Sequence, residues 1–226
     1  MAAIASFHLT TWRGTGAAWA HLGRDRRALA RVPGLELVRL LGTGRGSSTR
    51  RGATPARTAA FLLWRDEGDL EEFLAGHRVA ARWRDATEHW SVRLRGAGGH
   101  GAWRGVDVPG RLARGSDAGR IAMVTRADVR AAAWRRFARA GGPVDDELSA
   151  APGLLAVVAI GEAPVARLGT FSLWESLAAM RAFADSARHA AVVARTRRER
   201  WYGEEMFARF EPYGSTGAWD GRDPLA

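Results

Sequence analysis

The sequence predicts an α+β fold in which one structural unit is used twice. Three observations predict it. The chain repeats itself in order, each half alternates as β-α-β-β-α-β, and its 226 residues are 46% hydrophobic and 26% charged. Those proportions are ordinary for a globular protein, and the length suffices for one large domain or two small ones.

The repeat is collinear. Residues 88–105, beginning Glu88-His89-Trp90 and ending Trp103-Arg104-Gly105, match 204–221, which end Trp219-Asp220-Gly221, without a gap. Phe61-Leu62-Leu63-Trp64 matches Phe171-Ser172-Leu173-Trp174, Pro33-Gly34-Leu35 matches Pro152-Gly153-Leu154, and Ile4-Ala5 matches Ile121-Ala122. The matches keep the same order in both halves, the mark of a duplicated unit.

The first half opens with a strand over 4–11, where apolar and polar residues alternate. A helix follows over 17–31, carrying Trp19, Leu22 and Leu29, and then a strand over 35–41. A second strand spans 56–64, a helix runs from 66 to 83, and a last strand covers 90–94. The second half follows suit, with strands over 121–125, 154–160, 166–174 and 206–210. Its helices are expected near 131–140 and between 175 and 201. The halves are therefore 1–105 and 120–226, joined by a linker over 106–119 rich in Pro109, Gly110, Gly115 and Gly119.

This order is the ferredoxin-like split βαβ pattern, twice. Each antiparallel sheet has one face covered by helices, and the other must find cover. Packing the two sheets face to face gives a pseudo-symmetric dimeric α/β barrel within one chain. A cavity between the sheets, lined from both halves, is the expected binding site. No second chain is needed to form the barrel, and the oligomeric state is open.

Composition removes several chemistries. There is no cysteine, so disulfides, thiolate catalysis, iron–sulfur clusters and cysteine-ligated haem or zinc are excluded. All 34 basic residues are arginine, which leaves no lysine for a Schiff base or a phosphate loop. The net charge of +10 falls mostly on residues 1–115. No nucleic-acid motif accompanies that charge, so no nucleic-acid partner is expected. No apolar run is long enough to span a membrane, and the N-terminus lacks the pattern of a secretory signal. A cytoplasmic location is expected.

None of the six histidines has the HExxH spacing or stands in an evident zinc or non-haem iron cluster, and no GxSxG elbow exists. The stretch Gly42-Thr43-Gly44-Arg45-Gly46-Ser47-Ser48 leads into a strand, not the helix N-terminus that holds phosphate, so it reads as a long hairpin connection over 42–57. It carries Arg45, Arg50, Arg51 and Arg57 without an acid, and serves either as a cationic lid over a carboxylate or propionate or as a solvated loop. Ser186 is a candidate N-cap. In the helix after it, His189, Val192, Val193 and Thr196 share one face, while Ala187, Ala190, Ala191 and Ala194 form a small face for close approach to the sheet. From spacing alone His189 reads more readily as a core histidine than as an axial ligand. Trp64, Trp174, Trp103 and Trp219 occupy equivalent places and read as core wedges. Trp83, Trp90 and Trp201 are better pocket candidates.

The run from His189-Ala190-Ala191-Val192-Val193 through Arg200-Trp201-Tyr202-Gly203 to Ala208-Arg209-Phe210 resembles the spheroidene monooxygenase family, oxygenases that introduce keto groups into acyclic carotenoids. The resemblance extends to Ile160-Gly161-Glu162-Ala163-Pro164, Thr170-Phe171-Ser172-Leu173-Trp174, Pro33-Gly34-Leu35 and Gly42-Thr43-Gly44, and covers nearly the whole chain. It implies a haem-dependent monooxygenase with haem b, related to dimeric α/β-barrel haem proteins. In that class a helix histidine is the usual axial ligand, so the resemblance makes His189 the expected iron ligand. Val193, Arg195 and Trp201 in the same run, with Arg45 and Arg51 at the glycine loop, are the expected cofactor contacts. Arg39 and the glycine loop depart from the family pattern. The substrate stays open between a carotenoid and another hydrophobic natural product, with an electron donor such as a ferredoxin as partner. The alternatives are another haem reaction on a small polar substrate (peroxygenase, dehydratase or N-oxidation), a haem-binding protein, or a cofactor-free monooxygenase.

Overall fold

Eight strands close into one antiparallel barrel in the order β1-β3-β2-β6-β7-β5-β8-β4. The structure, a computed structural model, describes residues 3–162 and 167–226, without the side chains of 48–51. The first half comprises β1 (Ile4–Thr11), α1 (Thr15–Leu29), β2 (Leu35–Arg45), β3 (Ser48–Trp64), α2 (Glu67–Gly76), α3 (Arg78–Arg84) and β4 (Glu88–Gly101). The short helix α4 (Val108–Arg111) leads to the second half: β5 (Ile121–Val129), α5 (Trp134–Ser149), β6 (Leu154–Gly161), β7 (Arg167–Trp174), α6 (Leu177–Ala184), α7 (Ala187–Arg198) and β8 (Tyr202–Gly217).

The alternation in each strand decides which face is which. Ala5, Phe7 and Leu9 of β1 point into the barrel with Phe61 and Leu63 of β3, while Ile4, Leu62 and Trp64 point out beneath the helices. The same period places Phe171 and Leu173 of β7 inside and Trp174 outside. The sheets join where β2 meets β6 over Gly42–Gly161, Thr43–Ile160 and Gly44–Ala159, and where β4 meets β8 along a far longer register.

The interior corrects the sequence expectation of a cavity between the sheets. It is filled: the rings of Phe7 and Phe171 stack at 3.8 Å across it, and Trp90, Trp103, Phe210 and Trp219 pack around them. Trp103 and Trp219 are wedges as expected, but Trp90, expected at a pocket, also belongs to this core. The linker is likewise ordered. Val108 is buried, and Leu112 and Arg114 bridge to Ala3 and Gly96.

Three further elements depart from expectation. The segment over 42–57 is mostly strand: β2 and β3 continue into a hairpin whose tip is Gly46-Ser47, with Gly46 in the left-handed region at φ 59°. Ala159 N–H donates to the Gly46 carbonyl at 2.6 Å, so the tip is pinned to the second half. The helix expected over 66–83 breaks at His77, which ends α2 in an extended conformation and caps α3 by accepting from Val79 N–H at 3.2 Å. Helix α5 extends past the expected end at 140 through Gly141, Gly142 and Pro143 to Ser149. Among the described residues no helix is long and apolar enough to cross a membrane.

Candidate functional site

The outer faces of the two sheets are covered differently. In the first half one continuous apolar layer fills the space beneath the helices, with Trp12, Trp64, Phe73 and Trp83 in it. In the second half two separate clusters form. One gathers Ile121, Leu148, Trp174 and Met180, the other Val129, Ala133 and Trp201 with Trp134, Phe137 and Tyr202. A cleft of about 220 Å³ is lined from the floor of β5, β7 and β8 and from the walls of α5 and α7.

Equivalent strand positions explain the asymmetry. His8 on β1 corresponds to Thr125 on β5, and His89 on β4 corresponds to Glu205 on β8. In the first half His8 is 1% exposed and lies 4.8 Å from the Trp83 ring and 5.7 Å from His89. In the second half the smaller Thr125, with Thr170, leaves room at the cleft floor.

His189 stands in the cleft wall on the first turn of α7. Ser186 caps that helix as expected, its hydroxyl accepting from His189 N–H at 3.4 Å. The imidazole Nδ1 lies 2.8 Å from the Ala184 carbonyl oxygen. A carbonyl only accepts, so Nδ1 carries the proton, and in the neutral ring the lone pair is on Nε2. Val192, Val193 and Thr196 continue the same face into the cleft, and Phe137 and Phe207 add aromatic wall. The alanine face lies on the opposite side: Ala187, Ala190, Ala191 and Ala194 are exposed to solvent and do not bring α7 onto the sheet.

Polar groups gather on the sheet side. Burial pushes the Tyr202 phenol up to about 12, with Thr196 drawing it down and the Glu205 charge adding to the rise. Tyr202 is therefore a protonated donor at neutral pH. Glu205 lines the cleft without an ion pair among the described residues. Arg126, 4% exposed, lies at the edge of the cleft but is already held by Asp128 and Glu204.

The cofactor residues read from sequence separate into groups. His189 and Val193 line the cleft. Trp201 is fully buried behind it, donating to Glu199 at 2.9 Å. Arg195 is turned away: it pairs with Glu199 at 2.8 Å and lies over the Trp201 ring, because an (i, i+4) partner is within reach on the same helix. Arg45 is exposed at the end of β2 and does not line the cleft, while the side chains of Arg50 and Arg51 lie outside the described residues. The hairpin does reach the site through Ser47, whose hydroxyl donates to the Asp145 carbonyl at 3.3 Å. Arg197 also lines the cleft and, unlike Arg126, is exposed and without an acidic partner among the described residues.

The chain is 36% identical over 196 residues to spheroidene monooxygenase of Rubrivivax gelatinosus, an alignment that covers 84% of this chain and 73% of that relative. The chain belongs to the spheroidene monooxygenase family. The family member from Rhodobacter capsulatus is 31% identical over 238 aligned positions, covering 99% of this chain and 95% of its own length. No protein-family model matches the chain. Among solved structures, aldoxime dehydratase superposes with a TM-score of 0.62 at 10% identity, covering 93% of this chain and 81% of its own. A second aldoxime dehydratase structure, in complex with butyraldoxime, gives a TM-score of 0.60 at 12% identity. At that identity the likeness is one of fold. Membership of a monooxygenase family makes the chain an oxidoreductase.

For this family member, the cleft can be tested against a haem. Among the described residues no three His, Asp or Glu side chains converge to hold a metal ion. A haem brings four nitrogen donors of its own and would need no such cluster; His189 Nε2 is the side-chain nitrogen in the cleft that could hold its iron. The apolar walls and the unpaired Arg197 at the mouth suit a flat hydrophobic ring with carboxylate substituents. The cleft, at about 220 Å³, is smaller than the roughly 300–1,000 Å³ of a typical small-molecule site, so a macrocycle would fit only with its walls moved apart. Sequence reading missed Glu205, Thr125 and Arg197 as cleft residues. The signal was available for Thr125 and Glu205, since the repeat aligns them with His8 and His89 of the first half.

Proposed function

We propose that the chain is a haem-dependent monooxygenase acting on an acyclic carotenoid or a related apolar natural product. The observation that carries this reading is the His189 imidazole, oriented by its Nδ1 hydrogen bond to the Ala184 carbonyl in an apolar cleft. A metal-ligating histidine commonly donates its other ring N–H to a carbonyl or carboxylate, which sets the tautomer and the ring orientation. The names of the relatives support the carotenoid class of substrate.

When bound, haem would supply the oxygen activation that no side chain of this protein can provide. The chain's own residues do the rest. His189 would hold the iron from α7. Val192, Val193, Phe137 and Phe207 exclude water and favour a hydrophobic guest. Arg197 would pair with a carboxylate at the mouth. On the sheet side Tyr202 holds a donatable proton at its phenol oxygen, and Glu205 is an acceptor facing the same space.

The test is the absorption spectrum of the purified protein with added haem. The wild-type chain gives a histidine-ligated Soret band. His189→Ala loses that band or binds haem at least tenfold more weakly, keeps its melting temperature, and recovers the band on addition of imidazole. A His189→Ala protein with an unchanged spectrum removes His189 as ligand. A wild-type protein that takes up no haem removes the haem reading and leaves the fold.

A further inference from the structure

Helix α1 lies on the half of the barrel that has no cleft, and its outward surface has an unusual composition. Trp19 is 64% exposed, the one large apolar side chain so exposed among the described residues. Trp19, Gly23, Arg27 and Arg31 succeed one another at intervals of four, which aligns them along one face of the helix and its C-terminal extension. Arg24 stands in the neighbouring row, and Arg78 joins from the start of α3 across a shallow groove. The only acid on α1 is Asp25, and it is buried, where Arg82 and the Trp83 indole at 2.9 Å consume it. Arg24, Arg27, Arg31 and Arg78 have no ion pair among the described residues. The result is a purely cationic strip ending in a free indole.

From this strip we infer that α1 docks the protein onto the surface of an anionic phospholipid bilayer. Like charges held together without counter-charges leave a positive potential that calls for an anionic partner. Arginine supplies it to phosphate headgroups with bidentate geometry. Tryptophan prefers the headgroup level, where its ring is apolar and its N–H stays wet. A helix face with cations along it and an indole at one end fits a flat surface on which all of them act together. A nucleic-acid duplex would use the arginines but would not require the indole. The groove shares no lining residue with the cleft, so docking leaves the cleft open. The inference stands without the haem reading, although an apolar substrate dissolved in a membrane would be found at such a surface.

Co-sedimentation of the full chain with vesicles tests it. The protein pellets with vesicles containing phosphatidylglycerol, stays in solution with phosphatidylcholine alone, and is released in about 1 M salt, where charges are screened beyond roughly 3 Å. Arg27→Ala and Arg31→Ala each lower the partition constant about fivefold. Trp19→Ala lowers it as well, and none of these exposed substitutions changes the melting temperature. Equal pelleting with neutral vesicles, no pelleting, or full binding by the double Arg27→Glu, Arg31→Glu variant overturns the inference. So does displacement by a DNA duplex together with full vesicle binding by Trp19→Ala, which would mark a nucleic-acid surface. A dimer in which Trp19 is shielded from a soluble fluorescence quencher would show a second copy as the occupant and overturn it too.

Discussion

Arg126 shows how a buried charge can hold a barrel end together. It is placed by β5 among Asp128, Glu204 and the Ala102 carbonyl. Glu204 in turn accepts from Arg104 N–H and Gly105 N–H, each at 2.7 Å, which fixes the turn after β4. Burial raises the Glu204 pKa, but these donors and Arg126 outweigh it and hold the carboxyl below its usual value. A carboxylate with a depressed folded pKa stabilises fully above its unfolded value, and that contribution is lost as pH falls through the folded value. Glu204→Gln should therefore cost about 1–3 kcal/mol at neutral pH and flatten the stability profile below roughly pH 4.3. Thermal melts of both proteins across that range read it directly. Equal slopes would remove Glu204 from the acid response. On the cleft floor, Tyr202→Phe removes a donor while keeping the ring. With haem binding unchanged, it should lower turnover without changing the spectrum of the oxidised protein, whereas loss of the Soret band would make Tyr202 part of the ligand field.

At the scale of elements, α5 is the wall least able to resist movement. Pro143 in its interior has no N–H, so the carbonyl one turn earlier lacks its helical partner. Gly141 precedes it in the cleft wall, and a Cβ added there would meet nothing within 4 Å. Helix glycines cost roughly 0.5–1 kcal/mol relative to alanine. This combination makes α5 the element expected to shift when a guest wider than the cleft enters. Gly141→Ala should raise stability by about that amount, a rise of a few degrees in a chain of this size. Gly141→Leu should fill the cleft and weaken haem binding at least tenfold with the fold retained. Haem titration and calorimetry on the two variants separate these effects; undiminished binding by Gly141→Leu would rule out the cleft as the proposed haem site.

For the whole molecule, the filled interior makes the two halves one cooperative body. The Phe7–Phe171 stack joins β1 of one half to β7 of the other. Phe171→Ala should cost about 3–5 kcal/mol and lower the melting temperature in one transition; two separate transitions would show independent halves. Acid should also destabilise the first half's helix layer. Burial, then the neighbouring charge of His89, lowers the His8 pKa well below its usual value, and burial with Arg84 lowers His89 to about 4. A histidine kept neutral by folding lets the unfolded chain bind the extra proton, so stability falls as pH drops from about 6.5 towards 4. His89→Phe should remove part of that slope in pH-dependent melts, and an unchanged slope would assign it to carboxylates.

The sequence by itself determined the duplication, the βαββαβ order, the barrel, the Ser186 cap and the family. Each depends on local period, turn residues or similarity along the chain, all of which a linear text records. On spacing alone the sequence favoured a core role for His189, and only the family resemblance made His189 the expected ligand. Only the tertiary structure decided where the cavity lies. The barrel interior is closed because inward side chains from two distant strands, Phe7 and Phe171, meet there, and neither strand records the size of the other's residues. The cleft opens instead under α5 and α7, because Thr125 stands where the first half has His8 and two apolar clusters fail to merge above it. Arg195 and Arg197 differ by two positions on one helix, and their roles separate only through what faces them. Arg195 finds Glu199 on its own helix, while Arg197 borders a cleft whose floor comes from strands far away in the sequence.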